Sequence, residues 1–195
     1  MTRCLIVTAH PLRESLCHHL AEGVEAVARA RGWTVTRRDL AQGFDPRLTA
    51  EERAGYYSGF AGGAGDEMAE LAAAEVLVLV FPTWWFGFPA VLKGWFDRVW
   101  APGLAYDHSP GFGPMIPRLS GLRHVVAVTT MGAPGWIDRL VMRRPLRRAL
   151  RWGIVKPCAP AARLDWLALY RAESLSPDRL TAFQTRIQRA IARIG

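Results

Sequence analysis

The stretch VLVLVF (Val76–Phe81), followed by PTWWFGFP (Pro82–Pro89) and AVLKGWFDRV (Ala90–Val99), decides how this chain is read. An unbroken apolar run rich in valine and leucine, too short for a membrane span, suits a strand buried on both faces. Beyond the aromatic turn, Leu92, Trp95, Phe96 and Val99 recur at the i, i+3, i+4, i+7 spacing of a helix with one buried face. A strand feeding a helix through a tight turn is half of a parallel crossover unit.

Working outward, the same rhythm repeats. Arg3 to Ala9 (RCLIVTA) reads as a central parallel strand, and Leu16, Leu20, Val24 and Val27 mark one face of the helix after it. Gly32 stops that helix, and Trp33 to Asp39 (WTVTRRD) reads as a second, more polar strand. Residues 41 to 66 are irregular: FDP begins at Phe44, short helical pieces are expected after Thr49, and a glycine-rich run, GFAGGAG, starts at Gly59. Asp66 to Ala74 is expected to be helical. His124 to Thr130 (HVVAVTT) is another buried strand. Pro157 to Leu167 is a weaker one, broken by Pro160 and therefore expected at an edge. Ser176 and Pro177 are an N-cap and first-turn pair opening a last helix, with Leu180, Phe183, Ile187 and Ile191 inward.

Alternating strands and helices define an α/β chain with a parallel sheet. Five strands, and no GxGxxG after the first, favour a flavodoxin-like doubly wound sheet of order 2-1-3-4-5 over a six-stranded dinucleotide fold. The 195 residues fit a single domain spanning 1–195.

Composition narrows the function classes. With 50% hydrophobic and 22% charged residues the chain has ample core, and no run approaches the ~18 apolar residues of a spanning helix. The first apolar run ends at His10 without a small-residue cleavage site, so a soluble cytoplasmic protein is expected. Cys4, Cys17 and Cys158 form no zinc spacing, and Cys4 falls in a strand pattern that expects a buried thiol. No HExxH is present, and no metal is expected. The net charge of +8 raises the question of nucleic acid. The basic residues are spread along the chain, however. The one dense cluster, Arg139 to Arg151, is interrupted by Pro145, so it is not one clean groove-binding helix. A solvated basic face is the expectation, and a surface for phosphorylated ligands or an acidic partner is the competing one.

In this fold ligands collect at the carboxyl ends of the strands beside the switch point. Three unusual loops fall there: His10-Pro11 leading to Ser15, Pro82 to Gly87, and Thr129 to Gly132. The first offers an anion the N–H groups of Leu16 and Cys17, the Ser15 hydroxyl and the His10 ring. The second gathers Trp84, Trp85 and Phe86, rings costly to leave in water unless they pack or bind. Together they suit a ligand with a phosphate at one end and a flat ring system at the other.

The run from Pro82 to Val99 resembles the flavodoxin-like NAD(P)H:quinone oxidoreductases, the DT-diaphorase-like flavoproteins, almost without a break. The likeness extends to AHPLRES, to GLAY (Gly103–Tyr106) and to TTMG (Thr129–Gly132). It implies a flavin, FAD with FMN as the alternative, whose phosphate lies at His10, Ser15, Leu16 and Cys17. Its ring would lie along Pro82, Thr83, Trp84, Trp85 and Phe86, with Thr129, Thr130 and Gly132 at the far edge. Such enzymes take hydride from NAD(P)H onto flavin N5 and pass two electrons to a quinone or similar acceptor. The resemblance further implies a homodimer in which Tyr106 and His108 wall the partner's substrate pocket. One departure matters: the Tyr/His pair that family members carry after this turn is missing, and Trp136 stands in its neighbourhood. Two other readings use the same fold: a regulatory flavoprotein subunit of a membrane transporter, and a flavodoxin-type electron carrier.

Overall fold

In the computed structural model, which describes residues 1–57 and 64–195, the apolar runs become adjacent parallel strands. β1 (Arg3–Thr8) leads through a loop to α1 (Leu16–Ala30), and β2 (Thr34–Asp39) follows. α2 (Ala50–Ala54) and α3 (Gly65–Ala73) precede β3 (Val76–Pro82), and α4 (Ala90–Val99) follows it. β4 (Tyr106–Asp107) and β5 (Ile116–Pro117) form a small antiparallel hairpin before β6 (His124–Met131). α5 (Pro145–Arg148) runs through a π-helical stretch (Ala149–Val155) into α6 (Lys156–Cys158); β7 (Arg163–Tyr170) and α7 (Pro177–Ala192) complete the chain. The main sheet is parallel throughout, in the order β2-β1-β3-β6-β7, which is the expected 2-1-3-4-5.

Strand alternation explains why the central strands lack a polar face. Leu5, Val7, Leu77, Leu79 and Phe81 point to one side, where they meet α3, α4 and the 145–158 helix. Cys4, Ile6, Val76, Val78 and Val80 point to the other, against α1 and α7. Large leucines and phenylalanine fill the first layer; valines let α1 and α7 approach closely in the second. The buried stripe of α1 is Cys17, Leu20, Ala21, Val24 and Ala28, with Leu16 and Val27 only half-buried at its margins.

Some sequence expectations shift. The weaker strand does lie at the sheet edge but covers Arg163–Tyr170, not 157–167: Pro157 and Cys158 end a helix, and Pro160 falls in the turn. Residues 137–158 form two helical pieces, yet Pro145 opens the second as its first helical residue. The break comes from Arg143 and Arg144, both at left-handed φ (55° and 53°). The β4–β5 hairpin has only two residues per strand, too few for a periodicity signal in the sequence. Thr49 caps α2 in a reciprocal capping box with Glu52. The glycine-rich run from Gly59 falls largely outside the described residues.

Gly94 shows what the motif glycine does. A Cβ there would overlap the backbone carbonyl and ring of Pro46, which packs directly on α4. Gly94→Ala is therefore expected to destabilise the chain by about 1–3 kcal/mol despite alanine's better helix propensity. A thermal melt checks this, and an unchanged or raised midpoint refutes the close packing.

Candidate functional site

The register of β1, β3 and β6 brings the three loops together. Ala9 N–H donates to the Val80 carbonyl at 3.0 Å, and Thr83 N–H to the Thr130 carbonyl at 2.7 Å. The Thr83 and Thr129 hydroxyls lie 2.7 Å apart, Cys17 Sγ is 3.9 Å from Thr130 Oγ1, and the His10 and Trp84 rings are 6.2 Å apart.

Ser15 caps α1, its Oγ accepting the His18 N–H at 3.4 Å. The N–H groups of Leu16 and Cys17 lie in the first turn and have no intrahelical acceptor, so the helix start presents donors and a partial positive charge. Cys17 contributes backbone only, since its thiol is buried and burial pushes it up to about 11. It stays neutral near pH 7. His10 Nδ1 stands 3.1 Å from the Leu12 N–H and 3.3 Å from the Leu12 carbonyl; in the tautomer that accepts the N–H, Nε2 carries the ring proton.

Trp84 to Gly87 form a tight reversal: Gly87 N–H donates to the Trp84 carbonyl at 2.8 Å, and Trp84 N–H returns the bond to Gly87 at 3.3 Å. The two central residues, Trp85 and Phe86, have φ of 51° and 56°, the geometry of a type I′ turn that usually calls for asparagine and glycine. Two bulky residues held there cost of order 1–3 kcal/mol each. The turn's own hydrogen bonds use neither central N–H. Trp85 is 98% exposed, so the turn presents this ring to solvent instead of burying it. Beside it lies a slot of about 180 Å³ lined by Thr83, Trp85, Phe86, Met131, Gly132 and Ala133. At Gly132 a Cβ would press on the Glu173 carboxylate at 3.0 Å, so bare backbone lines that edge.

Of the residues expected at the site, Thr83, Trp85, Phe86 and Gly132 line the slot, His10 reaches the turn through its contact with Trp84, and Ser15 and Leu16 sit at the start of α1. Pro82 ends β3 just before Thr83. Thr129 does not line the slot: its side chain is fully buried and its hydroxyl supports Thr83 from below. Thr130 is nearly buried too, against Cys17. Trp136 is exposed beyond the Gly132 turn. Within one chain Tyr106 and His108 do not line the slot. They pack edge to face at 5.3 Å, and His108 stacks on Tyr57 at 4.6 Å. His108 faces a separate cavity of about 610 Å³ together with Tyr56, Tyr57 and Met68. Sequence reading missed His18 and Asp39 below Ser15, although histidine three residues after an N-cap serine was a usable signal. The Met131 and Ala133 contributions to the slot carry no signal of their own.

A helix N-terminus, a strained aromatic turn and a glycine edge thus lie at the switch point of a doubly wound open α/β sheet, the place where proteins of this class bind their ligands. The chain belongs to the flavodoxin-like fold family, whose model matches residues 2–194. It is 39% identical over 108 residues to an uncharacterized NAD(P)H oxidoreductase, YcaK, of Escherichia coli K12, covering 53% of this chain and 55% of that one. It is 37% identical over 126 residues to an FMN-dependent NADH:quinone oxidoreductase of Cereibacter sphaeroides, covering 55% and 63%. The chain thus spans little more than half the length of the curated relatives it matches. Among solved structures, Smu.1420 of Streptococcus mutans UA159 superposes with a TM-score of 0.85 at 26% identity, covering 99% of this chain and all of that one. Among the described residues, no helix is long and apolar enough to cross a membrane.

Proposed function

We propose that this chain is a flavin-dependent NAD(P)H oxidoreductase that passes two electrons to a quinone or similar acceptor. The observation that carries the reading is the Trp84–Gly87 turn. Backbone strain of that size at a strand end, spent on exposing an indole and two N–H groups, is what a flat heterocycle with edge acceptors requires. The donor set fits a flavin along its length. The α1 start with Ser15 and His10 Nε2–H meets the phosphate, the turn N–H groups meet the ring heteroatoms, and Gly132 leaves room for the far edge. A bound flavin supplies hydride acceptance and release; this chain's residues hold and orient it and keep water from one face. FAD is our first assignment and FMN the alternative, and the reading places the enzyme in the cytoplasm, where NAD(P)H is supplied.

The test is direct. Purified protein should be yellow, or become so on adding FAD or FMN, and the mass of the released cofactor decides between them. It should then oxidise NAD(P)H faster with a quinone present than with oxygen alone. A colourless protein with no affinity for either flavin overturns the proposal, and flavin binding without NAD(P)H oxidation points to a carrier.

The same reading makes the active unit a homodimer, because the slot covers one flavin face and another wall is needed. Tyr106 and His108 of the partner subunit are assigned to that wall. Mixing a flavin-site mutant with a loop mutant should restore part of the activity, and His108→Ala should change the acceptor KM more than flavin affinity. A fully active monomer in sedimentation refutes this assignment.

A further inference from the structure

Beneath the start of α1 runs a chain of hydrogen bonds that flavin binding as described does not use. Ser15 Oγ stands 2.9 Å from His18 Nδ1, and His18 Nε2 stands 3.0 Å from Asp39 Oδ2 at the end of β2. The other Asp39 oxygen accepts the Ala41 N–H at 3.1 Å. His18 is only 7% exposed.

The acceptor end of this chain decides where the protons are. An ionised carboxylate has none to give, so His18 Nε2 must carry one. In the neutral ring Nδ1 is then bare, and only the Ser15 hydroxyl proton can fill the 2.9 Å contact. That is the one hydrogen the hydroxyl owns. A phosphate arriving at the helix start would meet oxygen lone pairs on Ser15. In the protonated ring, Nδ1–H donates to Ser15 Oγ instead. The hydroxyl proton is then free to turn to the phosphate, and a positive charge lies behind the helix start.

Resting on the reading of the α1 start as the phosphate site, we propose that His18 is a positioning residue whose protonated form turns Ser15 into a donor. Binding of a phosphorylated flavin is then coupled to proton uptake at His18 Nδ1, and the site discriminates against riboflavin, which has no phosphate. The balance is simple: one proton is taken from solvent, and no bond between heavy atoms forms or breaks.

The charged groups around His18 are held by other partners or turned away. Asp39 faces it from β2; the neighbouring Arg37 is tied to Glu25 at 3.1 Å. Arg13, in the loop before α1, is held on Gln42. Glu14 and Glu22 on its own segment are exposed, and His19 points to Gln184 of α7 at 2.9 Å. His10 also faces the phosphate region and needs its own control.

Calorimetric titration of the flavin-free chain with FMN and with riboflavin, between about pH 5.5 and 8 in buffers of different ionisation enthalpy, reads the coupling. FMN binding to the wild-type chain should take up a large fraction of a proton, and riboflavin binding none. The FMN phosphate itself titrates near pH 6, so the comparison is with variants that share that contribution. His18→Asn, whose amide donates permanently to Ser15, should bind FMN without the excess uptake and within about threefold of wild type. His18→Phe, which neither takes the Ser15 proton nor carries a charge, should abolish the excess uptake, weaken FMN only a few-fold and only at the acid end of the range, and leave riboflavin unchanged. His10→Gln should keep the uptake. Equal uptake in wild type and His18→Asn overturns the proposal, as does an equal loss of FMN and riboflavin in His18→Phe. Failure of every form to bind either flavin overturns the underlying flavin reading with it, an outcome distinct from binding that ignores the proton.

Discussion

Glu52→Ala is expected to lower the stability of the chain by about 3–5 kcal/mol, the range for removing one partner of a buried ion pair. Glu52 and Arg98 are both almost fully buried, with Arg98 donating from Nη2 at 2.6 Å and from Nε at 3.0 Å. Arg98 also donates to the Asp45 carbonyl at 2.5 Å, while Glu52 Oε2 accepts the Thr49 N–H at 2.9 Å. One carboxylate thus caps α2 and neutralises a cation on α4, fastening the 41–57 excursion to the helix that follows the aromatic turn. Removing it leaves a buried guanidinium without a counter-charge. Urea unfolding should show the loss as a lower midpoint at unchanged slope. The double change Glu52→Ala with Arg98→Met should recover much of the loss, because it removes the stranded charge as well. A single-mutant cost below about 1 kcal/mol would show that the pair is solvated in practice and does not fasten the excursion.

What was legible follows from how each part is stabilised. β1, β3 and β6 are buried on both faces, so their side chains are mostly apolar with small threonines at the carboxyl ends of β1 and β6, and three such runs separated by helical patterns leave few alternatives. The start of the last helix was readable to the residue, because Ser176 and Pro177 mark it, and of its expected inward face Phe183, Ile187 and Ile191 are buried and Leu180 half-buried. The edge strand was not, because β7 is half-exposed and carries polar residues, so its limits depend on pairing with β6 and not on its own pattern. At the site, the N-cap role of Ser15 and the position of the aromatic turn could be read from composition. The left-handed backbone of Trp85 and Phe86 could not, because nothing in those residue types favours it. The burial of Thr129 follows from its place inside β6, which is covered on both faces, whereas Gly132 lies past the strand end at the rim.

Ser15→Asp is expected to weaken FMN binding about a hundredfold, or ~2.7 kcal/mol, while leaving the fold intact. The choice of aspartate separates charge from structure. Aspartate is as good an N-cap as serine, so α1 keeps its first-turn hydrogen bond and gains from the helix dipole. What changes is the sign of the group that meets the phosphate. Two negative charges about 4 Å apart near a protein surface repel by up to about 4 kcal/mol before salt screening, and His18 behind the new carboxylate offsets part of that. The residue should be salt-sensitive, with the deficit shrinking as ionic strength rises, whereas a packing defect would not respond. Ser15→Ala is the complementary control: it should cost about 1 kcal/mol of stability through the lost cap but only a few-fold in affinity. Riboflavin affinity should be the same in all three proteins, since it has no phosphate to repel. Fluorescence quenching of the flavin during titration supplies each constant, and a thermal melt supplies the stability. An aspartate variant that is folded and binds FMN like the wild type would move the phosphate away from α1, and with it the orientation of the whole ligand across the Trp84–Gly87 turn.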